Sequence, residues 1–240
     1  MKKALTILFI LIAIQSMAQK QEIGIRSGLH YDVHTFTGDN DMFRQWLDGL
    51  KPSAGIHYTQ TNEKGLFWET GLAYRSVTLN PNLYTPYKFT LLLRMETIYS
   101  IISIPVHIGY SFDISEKVNA KISMGADVGY NIGNEITTIG NSFTALDNTT
   151  YIYSIGTHNK IEKQMNLYLS NSIELRYKTK CGLRPGIFCT YQAGLFNAWE
   201  TNSAYIKTIN LRTGEDSYYD TTISSRGSAL LFGIDVSWMF

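Results

Sequence analysis

The sequence predicts an all-β chain folded as an eight-stranded antiparallel up-and-down transmembrane β-barrel, and three observations carry that expectation. Apolar and polar residues alternate in eight separate stretches, with the period of two at which successive side chains of a strand point to opposite faces. The connections between the stretches alternate long, short, long, short, long, short, long. On the apolar parity of all eight there is no Asp, Glu, Lys or Arg, so one face suits hydrocarbon and the other a crowded polar interior.

The chain opens with a targeting segment. Lys2 and Lys3 precede an apolar run over 4–14, followed by Gln15, Ser16, Met17 and Ala18. A basic start, a short apolar core and small residues at its end form the pattern of a cleaved secretory signal peptide. The expected organisation is a signal peptide over 1–18 and one barrel domain over 19–240, about 222 residues long. Gln19 would then come first, with no cysteine to take a lipid anchor. Losing Lys2 and Lys3 takes the formal charge from +1 to about −1, and no basic stripe points to nucleic acid. No later run is long enough for a transmembrane helix. The best candidate, 98–112, is broken by Ser100, Ser103, Pro105, His107 and Gly109. A chain that spans lipid without helices must close its sheet, because open edges would leave backbone groups unpaired.

The first strand, 22–31, sets Ile23, Ile25, Ser27, Leu29 and Tyr31 against Glu22, Arg26 and His30. The second, 53–60, turns Ala54, Ile56 and Tyr58 to lipid, and the third, 66–79, turns Trp68, Thr70, Leu72 and Tyr74 against Glu69, Gly71, Ala73 and Arg75. The fourth ends over 102–112, alternating Ile102, Ile104, Val106, Ile108, Tyr110 and Phe112 with Ser103, Pro105, His107, Gly109 and Ser111. The fifth, 118–132, is the cleanest: Val118, Ala120, Ile122, Met124, Ala126, Val128 and Tyr130 oppose Asn119, Lys121, Ser123, Asp127 and Asn131. The sixth, 165–177, places Leu167, Leu169, Ile173 and Leu175 opposite Glu174 and Arg176. In the seventh, 183–196, Pro185 lacks a ladder donor, and a bulge is expected there. The eighth, 230–240, has Leu230, Phe232, Ile234, Val236, Trp238 and Phe240 on one parity and Gly233, Asp235 and Ser237 on the other. Its length is that of a tilted membrane strand, and its terminal aromatic resembles the signal read by the outer-membrane barrel assembly machinery.

Short turns join the strands at 61–65, 113–117 and 178–182, while the connections over 32–52, 80–99, 133–164 and 197–228 are long. Barrels of the outer membrane keep turns on the periplasmic side and loops outside the cell. An even strand number puts both termini in the periplasm. Tyr58, Trp68, Tyr110, Phe112, Tyr177, Trp238 and Phe240 then fall at the periplasmic end of the lipid face, and Tyr31, Tyr74 and Tyr130 approach the outer end, giving two aromatic girdles. The inner parity holds five bases, Arg26, Arg75, Lys121, Arg176 and Arg184, and five acids, Glu22, Glu69, Asp127, Glu174 and Asp235. An eight-stranded lumen is only wide enough for its own side chains. Buried charges must pair there, so the expected lumen is a plug rather than a channel.

Candidate sites are few. His30, His57 and His107 share the lumen parity, which suggests a metal, but no ligand spacing fixes them; hydrogen-bonded interior histidines are the plainer reading. Ser27 or Ser170 with His30 or His158 and Glu162 could form the Ser, His and acid set of a lipid-modifying outer-membrane enzyme, although no nucleophile elbow supports it. No catalytic, cofactor or metal residue is therefore assigned, and no cofactor is expected. Cys181 and Cys189 lie too far apart along one strand for a disulfide, roughly 26 Å against the roughly 6 Å required, and are read as free thiols. The loops carry Phe43-Arg44-Gln45-Trp46-Leu47, read as a short amphipathic helical turn, and Tyr151, Tyr153, Tyr205, Tyr218 and Tyr219 among Ser, Thr and Asn. Such a composition suits an extracellular protein or glycan, or only cross-strand pairing above the membrane.

Ile23-Gly24-Ile25-Arg26-Ser27-Gly28, Glu69-Thr70-Gly71-Leu72-Ala73-Tyr74, Ile104-Pro105-Val106, Met124-Gly125-Ala126 and Trp238-Met239-Phe240, in that order, resemble the small outer-membrane β-barrel domain family that includes PorT-like proteins. The resemblance covers essentially the whole mature chain. It implies an integral protein of the outer membrane of a Gram-negative cell, with outer-membrane lipid and the assembly machinery as partners. It carries over no catalytic residue, and a secretion role would rest on analogy alone.

Overall fold

The computed structural model describes residues 18–38, 43–45, 50–79, 81–84, 91–94, 97–133, 136–140, 144–145, 150–196 and 200–240. The signal peptide expected over 1–18 lies outside them except for Ala18, the first residue of β1. Among the described residues fifteen strands form: β1 (Ala18–Gly38), β2 (Phe43–Gln45), β3 (Lys51–Asn62), β4 (Leu66–Leu79), β5 (Pro81–Tyr84), β6 (Leu91–Arg94), β7 (Thr97–Asp113), β8 (Val118–Ile132), β9 (Ile136–Gly140), β10 (Thr144–Ala145), β11 (Thr150–Ile161), β12 (Met165–Tyr177), β13 (Leu183–Gly194), β14 (Glu200–Asn210) and β15 (Asp216–Met239). Among the described residues no helix is long and apolar enough to cross a membrane.

Eight of these strands make the barrel. Antiparallel pairing runs β1-β3-β4-β7-β8-β12-β13-β15 and returns from β15 to β1, so the wall closes with no free edge. The register fixes its size. Successive cross-strand partners lead from Tyr31 through Leu230, Tyr191, Asn171, Met124, Ile108, Trp68 and Gln60 back to β1 at Gln21, ten residues from the start. Eight strands with that stagger tilt by roughly 40° and enclose a backbone radius of roughly 8 Å. Side chains from opposite walls therefore meet in the middle.

The outer wall is apolar, as the alternation requires. Ile25, Ile56, Ile104, Ile108, Met124, Ile173, Ile187 and Ile234 are all more than half exposed. In water so large a patch would be a severe liability; in a bilayer it is the face that hydrocarbon wets. Tyr58 with Trp68 and Tyr110 with Phe112 pack as ring pairs at one end, while Tyr74 and Tyr130 stand exposed toward the other. The short turns are built by local hydrogen bonds. Asn62 Oδ1 accepts from the amides of Lys64 and Leu66, both at 3.0 Å, and Gly65 takes φ 86°, the left-handed conformation that a residue without Cβ adopts freely.

Three polar side chains on the lipid face are satisfied within the wall: Trp68 Nε1 donates to Gln60 Oε1 at 2.9 Å, and Thr70 Oγ1 to the Pro105 carbonyl at 2.8 Å. Asn171 differs. It is exposed and sits halfway along the ladder between Trp68 and Tyr31, and its amide makes no hydrogen bond among the described residues. Asn171→Leu is expected to stabilise the barrel by about 1–2 kcal/mol, the cost of an unpaired amide in an apolar medium. An unchanged or lower urea midpoint in liposomes would contradict its placement in hydrocarbon.

Beyond the lipid belt the sheet continues. The upper part of β15 pairs with β14, β14 with β11, and β11 with β9 and β10. The ladder between β1 and β15 slips between Val33 and His34, whose partners are Ser228 and Ser225. Arg226 and Gly227 form the resulting bulge, with Gly227 at φ 74°. Above the lumen, Val77 packs on Ile101, and Tyr99 on Ile223 and Ile161, as small apolar clusters.

Four sequence expectations need correction. β1 and β15 run far past the boundaries of the membrane strands, because their polar upper halves are paired outside the belt. Phe43–Gln45 is a strand paired with Pro81–Leu83 rather than part of a helical turn, while Trp46 and Leu47 lie outside the described residues. No bulge forms at Pro185: the register with β15 is continuous from Leu183 to Gln192, and pairing with β12 stops at Gly186, so the missing donor costs no β12 bond. The connection over 133–164 is not simply a loop, since it contains β9, β10 and β11.

Candidate functional site

The lumen and the sheet above the belt hold the polar chemistry. In the lumen, alternation delivers one inward side chain every second residue, and the stagger of the wall sorts these into linked layers. Lowest, Glu22 accepts from Arg176 at 2.6 Å and from Arg184 at 2.8 Å. Arg176 also donates to Ser237 Oγ at 3.0 Å and pairs with Glu174 at 2.6 Å. In the middle, the Arg26 guanidinium gives two bonds to Glu69, at 2.6 and 3.1 Å, and one to Glu174 at 2.9 Å, and lies 3.2 Å from Asp235. Glu69 accepts in addition from Thr59 at 2.9 Å and Lys121 at 3.3 Å. Higher, Asp127 accepts from Ser170 and Gln192 and lies 2.6 Å from His107 Nε2. Uppermost, Arg75 donates to Asp32 at 2.6 Å and to the Gly227 carbonyl, which the bulge turns inward.

All ten charges expected in the lumen are there, and the structure adds an eleventh. Asp32, assigned by sequence to a loop, is buried on the lumen side of β1 between Arg75 and His30. The even-numbered parity of Glu22, Arg26 and His30 was the signal that reached it. Arg26, Arg75 and Lys121 are also covered by the rings of Phe188, Tyr168 and Phe67. Midway along the lumen a cavity of about 70 Å³ is lined in part by Arg26, His57, His107, Asp127 and Gln192, room for a few waters, and a cavity of about 330 Å³ lies at the turn end between Glu22, Thr61, Asn119 and Arg184.

The other candidates fall apart. His30, His57 and His107 do face inward, but each has a different nearest carboxylate, Asp32 at 3.2 Å, Asp235 at 2.6 Å and Asp127 at 2.6 Å, with Glu69 a further 3.6 Å from His57 and 3.9 Å from His107. Among the described residues no group of three or more His, Cys, Asp or Glu side chains is placed to hold a metal ion. Ser27 is exposed on the lipid face and His30 buried on the other side of the same strand, so they cannot meet. Ser170 is committed to Asp127. His158 is exposed on the upper sheet, and Glu162 pairs with Lys160 at 3.0 Å. Cys181 and Cys189 are both free and exposed, one in the turn before β13 and one on the lipid face. The Thr179 hydroxyl at 3.1 Å and the Leu183 backbone hold the Cys181 thiol below its usual range.

The upper sheet has two unlike faces. Inward, Ile152, Ala204, Ile206, Thr221 and Ile223 are buried. Outward, three cross-strand rows lie side by side on β11, β14 and β15: Ser154, Lys207 and Tyr218; Gly156, Tyr205 and Asp220; His158, Ser203 and Thr222. The Tyr205 and Tyr218 rings stack at 5.7 Å and 21°, and Tyr218 is 60% exposed.

No family model and no curated protein matches the chain. Among solved structures it is similar in fold to the outer membrane protein OprG from Pseudomonas aeruginosa, at 7% identity and TM-score 0.48 over 90% of this chain and 95% of that one. A major outer membrane protein from Thermus thermophilus aligns at 9% identity and TM-score 0.46 over 92% and 99%. Ail, the attachment invasion locus protein of Yersinia pestis, solved in complex with the heparin analogue sucrose octasulfate, aligns at 11% and TM-score 0.41 over 91% and 98%.

Proposed function

We propose that the chain is a non-enzymatic integral protein of the cell outer membrane, with both termini in the periplasm, a lumen plugged by its own ion pairs, and an extracellular sheet that docks a partner. The observation that carries this reading is β15. It supplies the lipid-facing row from Leu230 onward and also runs back to Asp216, roughly 40 Å of strand beyond the belt at Tyr218. A strand extended that far, paired with β1 up to Thr221 and with β14 up to Asp216, is a rigid platform, and a plugged barrel has no other evident use for it. The plug is supported by the lumen radius and the paired charges. Lipid-modifying chemistry is less favoured, since Ser27, His30, His158 and Glu162 stand apart.

Native and introduced thiols test location and orientation together. A maleimide too large to pass the outer membrane should label Ser203→Cys on intact cells but leave Cys181 and Cys189 unmodified. Cys181, exposed at the opposite end, should react once the membrane is permeabilised. Labelling of Cys181 on intact cells, or none at Ser203→Cys, would overturn the orientation.

A further inference from the structure

We propose that the outward face of β11, β14 and β15 is a saccharide-binding platform centred on Tyr205 and Tyr218, an inference that rests on the reading of this sheet as extracellular. The backbone prepares the site. Gly156 lies directly opposite Tyr205 on β11, and a Cβ there would come within 2.7 Å of the Tyr205 hydroxyl. The missing side chain lets the ring lie down on the sheet instead of standing off it. Tyr218 stacks against it from the neighbouring strand, and Lys207 Nζ lies 5.9 Å from the Tyr205 centroid.

Chemistry then selects the ligand class. Across β11, β14 and β15 this face holds one aliphatic side chain, Ile209 in the row above, where Tyr151, Ile209 and Asp216 align, too few for the apolar anchors that the buried centre of a protein interface uses. They offer two aromatic faces ringed by the hydroxyls of Ser203 and Thr222, which lie 3.4 Å apart, the Asp220 carboxylate and the Lys207 ammonium. A sugar ring has a complementary construction, with C–H bonds on its faces for the π surface and hydroxyls on its edge for hydrogen bonds. Lys207 is outweighed by Asp220 and Asp216 on this face, and Lys160 is paired with Glu162, so the face gives a polyanion no attraction and suits a neutral saccharide.

The test is calorimetric titration of the purified, folded barrel in detergent with cellohexaose, chitohexaose and hexagalacturonic acid. At least one neutral hexamer is expected to bind and the uronic acid hexamer not to. Tyr205→Ala and Tyr218→Ala should each weaken binding at least tenfold while heat-modifiable migration is retained. Gly156→Ala should weaken it too, by lifting a ring that is still present. Binding of none of the three, preference for the uronic acid, or affinity unchanged in both tyrosine variants would overturn the platform. Labelling at Ser203→Cys on intact cells separates that failure from failure of the extracellular reading, because it reports exposure whether or not a sugar binds.

Discussion

Glu69→Ala is expected to destabilise the barrel by about 3–5 kcal/mol, the cost of removing one partner from a buried ion pair. Glu69 is 2% exposed and meets Arg26, Lys121 and Thr59 at once. Without it, Arg26 keeps Glu174 and Asp235 but loses its bidentate partner, and Lys121 keeps only Glu22, at 3.9 Å, among the carboxylates. Two cations would then be undercompensated in a space that water scarcely enters. Lys160, paired with Glu162 on the exposed upper sheet, is the control: Glu162→Ala should change stability by less than about 1 kcal/mol, as for other surface pairs. Urea titration of the folded, heat-modifiable form reads both variants. Equal effects would mean that the lumen is hydrated enough to screen its charges.

Ile104→Arg is expected to cost about 2–4 kcal/mol and to lower the yield of folded barrel, because its side chain points into hydrocarbon near the middle of the belt. Ile104 is 52% exposed and pairs with Val128 on β8, itself exposed. Ser203→Arg, above the belt, carries the same charge into water and should fold normally. Normal folding of Ile104→Arg in liposomes would contradict the assignment of this face to lipid.

The barrel was legible in the sequence because lipid and lumen impose opposite demands on alternate residues, and a strand such as β8 meets them without exception from Val118 to Tyr130. What lay above the membrane was less legible. Along β14 and the upper part of β15 both faces carry Ser, Thr, Tyr and Asn, so alternation fades once water replaces hydrocarbon, although backbone pairing continues. Asp32 was missed at that same boundary, as apolar residues become sparse after Val33. The lumen charges could be named from parity, but their partners could not. Arg26 meets Glu69, Glu174 and Asp235 from three different strands, and only the stagger of the closed wall brings those to one height. One of the serine and histidine pairings is set aside for a reason that parity alone contains: Ser27 and His30 are three residues apart on one strand and must face opposite ways.

Planar-bilayer recording of the purified wild-type barrel tests most directly the claim that its lumen is closed and its work is done on the extracellular sheet. The account expects an insulating bilayer after verified insertion, with conductance steps arising only when the ion-pair hub is cut, as in Glu69→Ala. Reproducible open-channel steps from the wild type would contradict it and make the lumen the functional site.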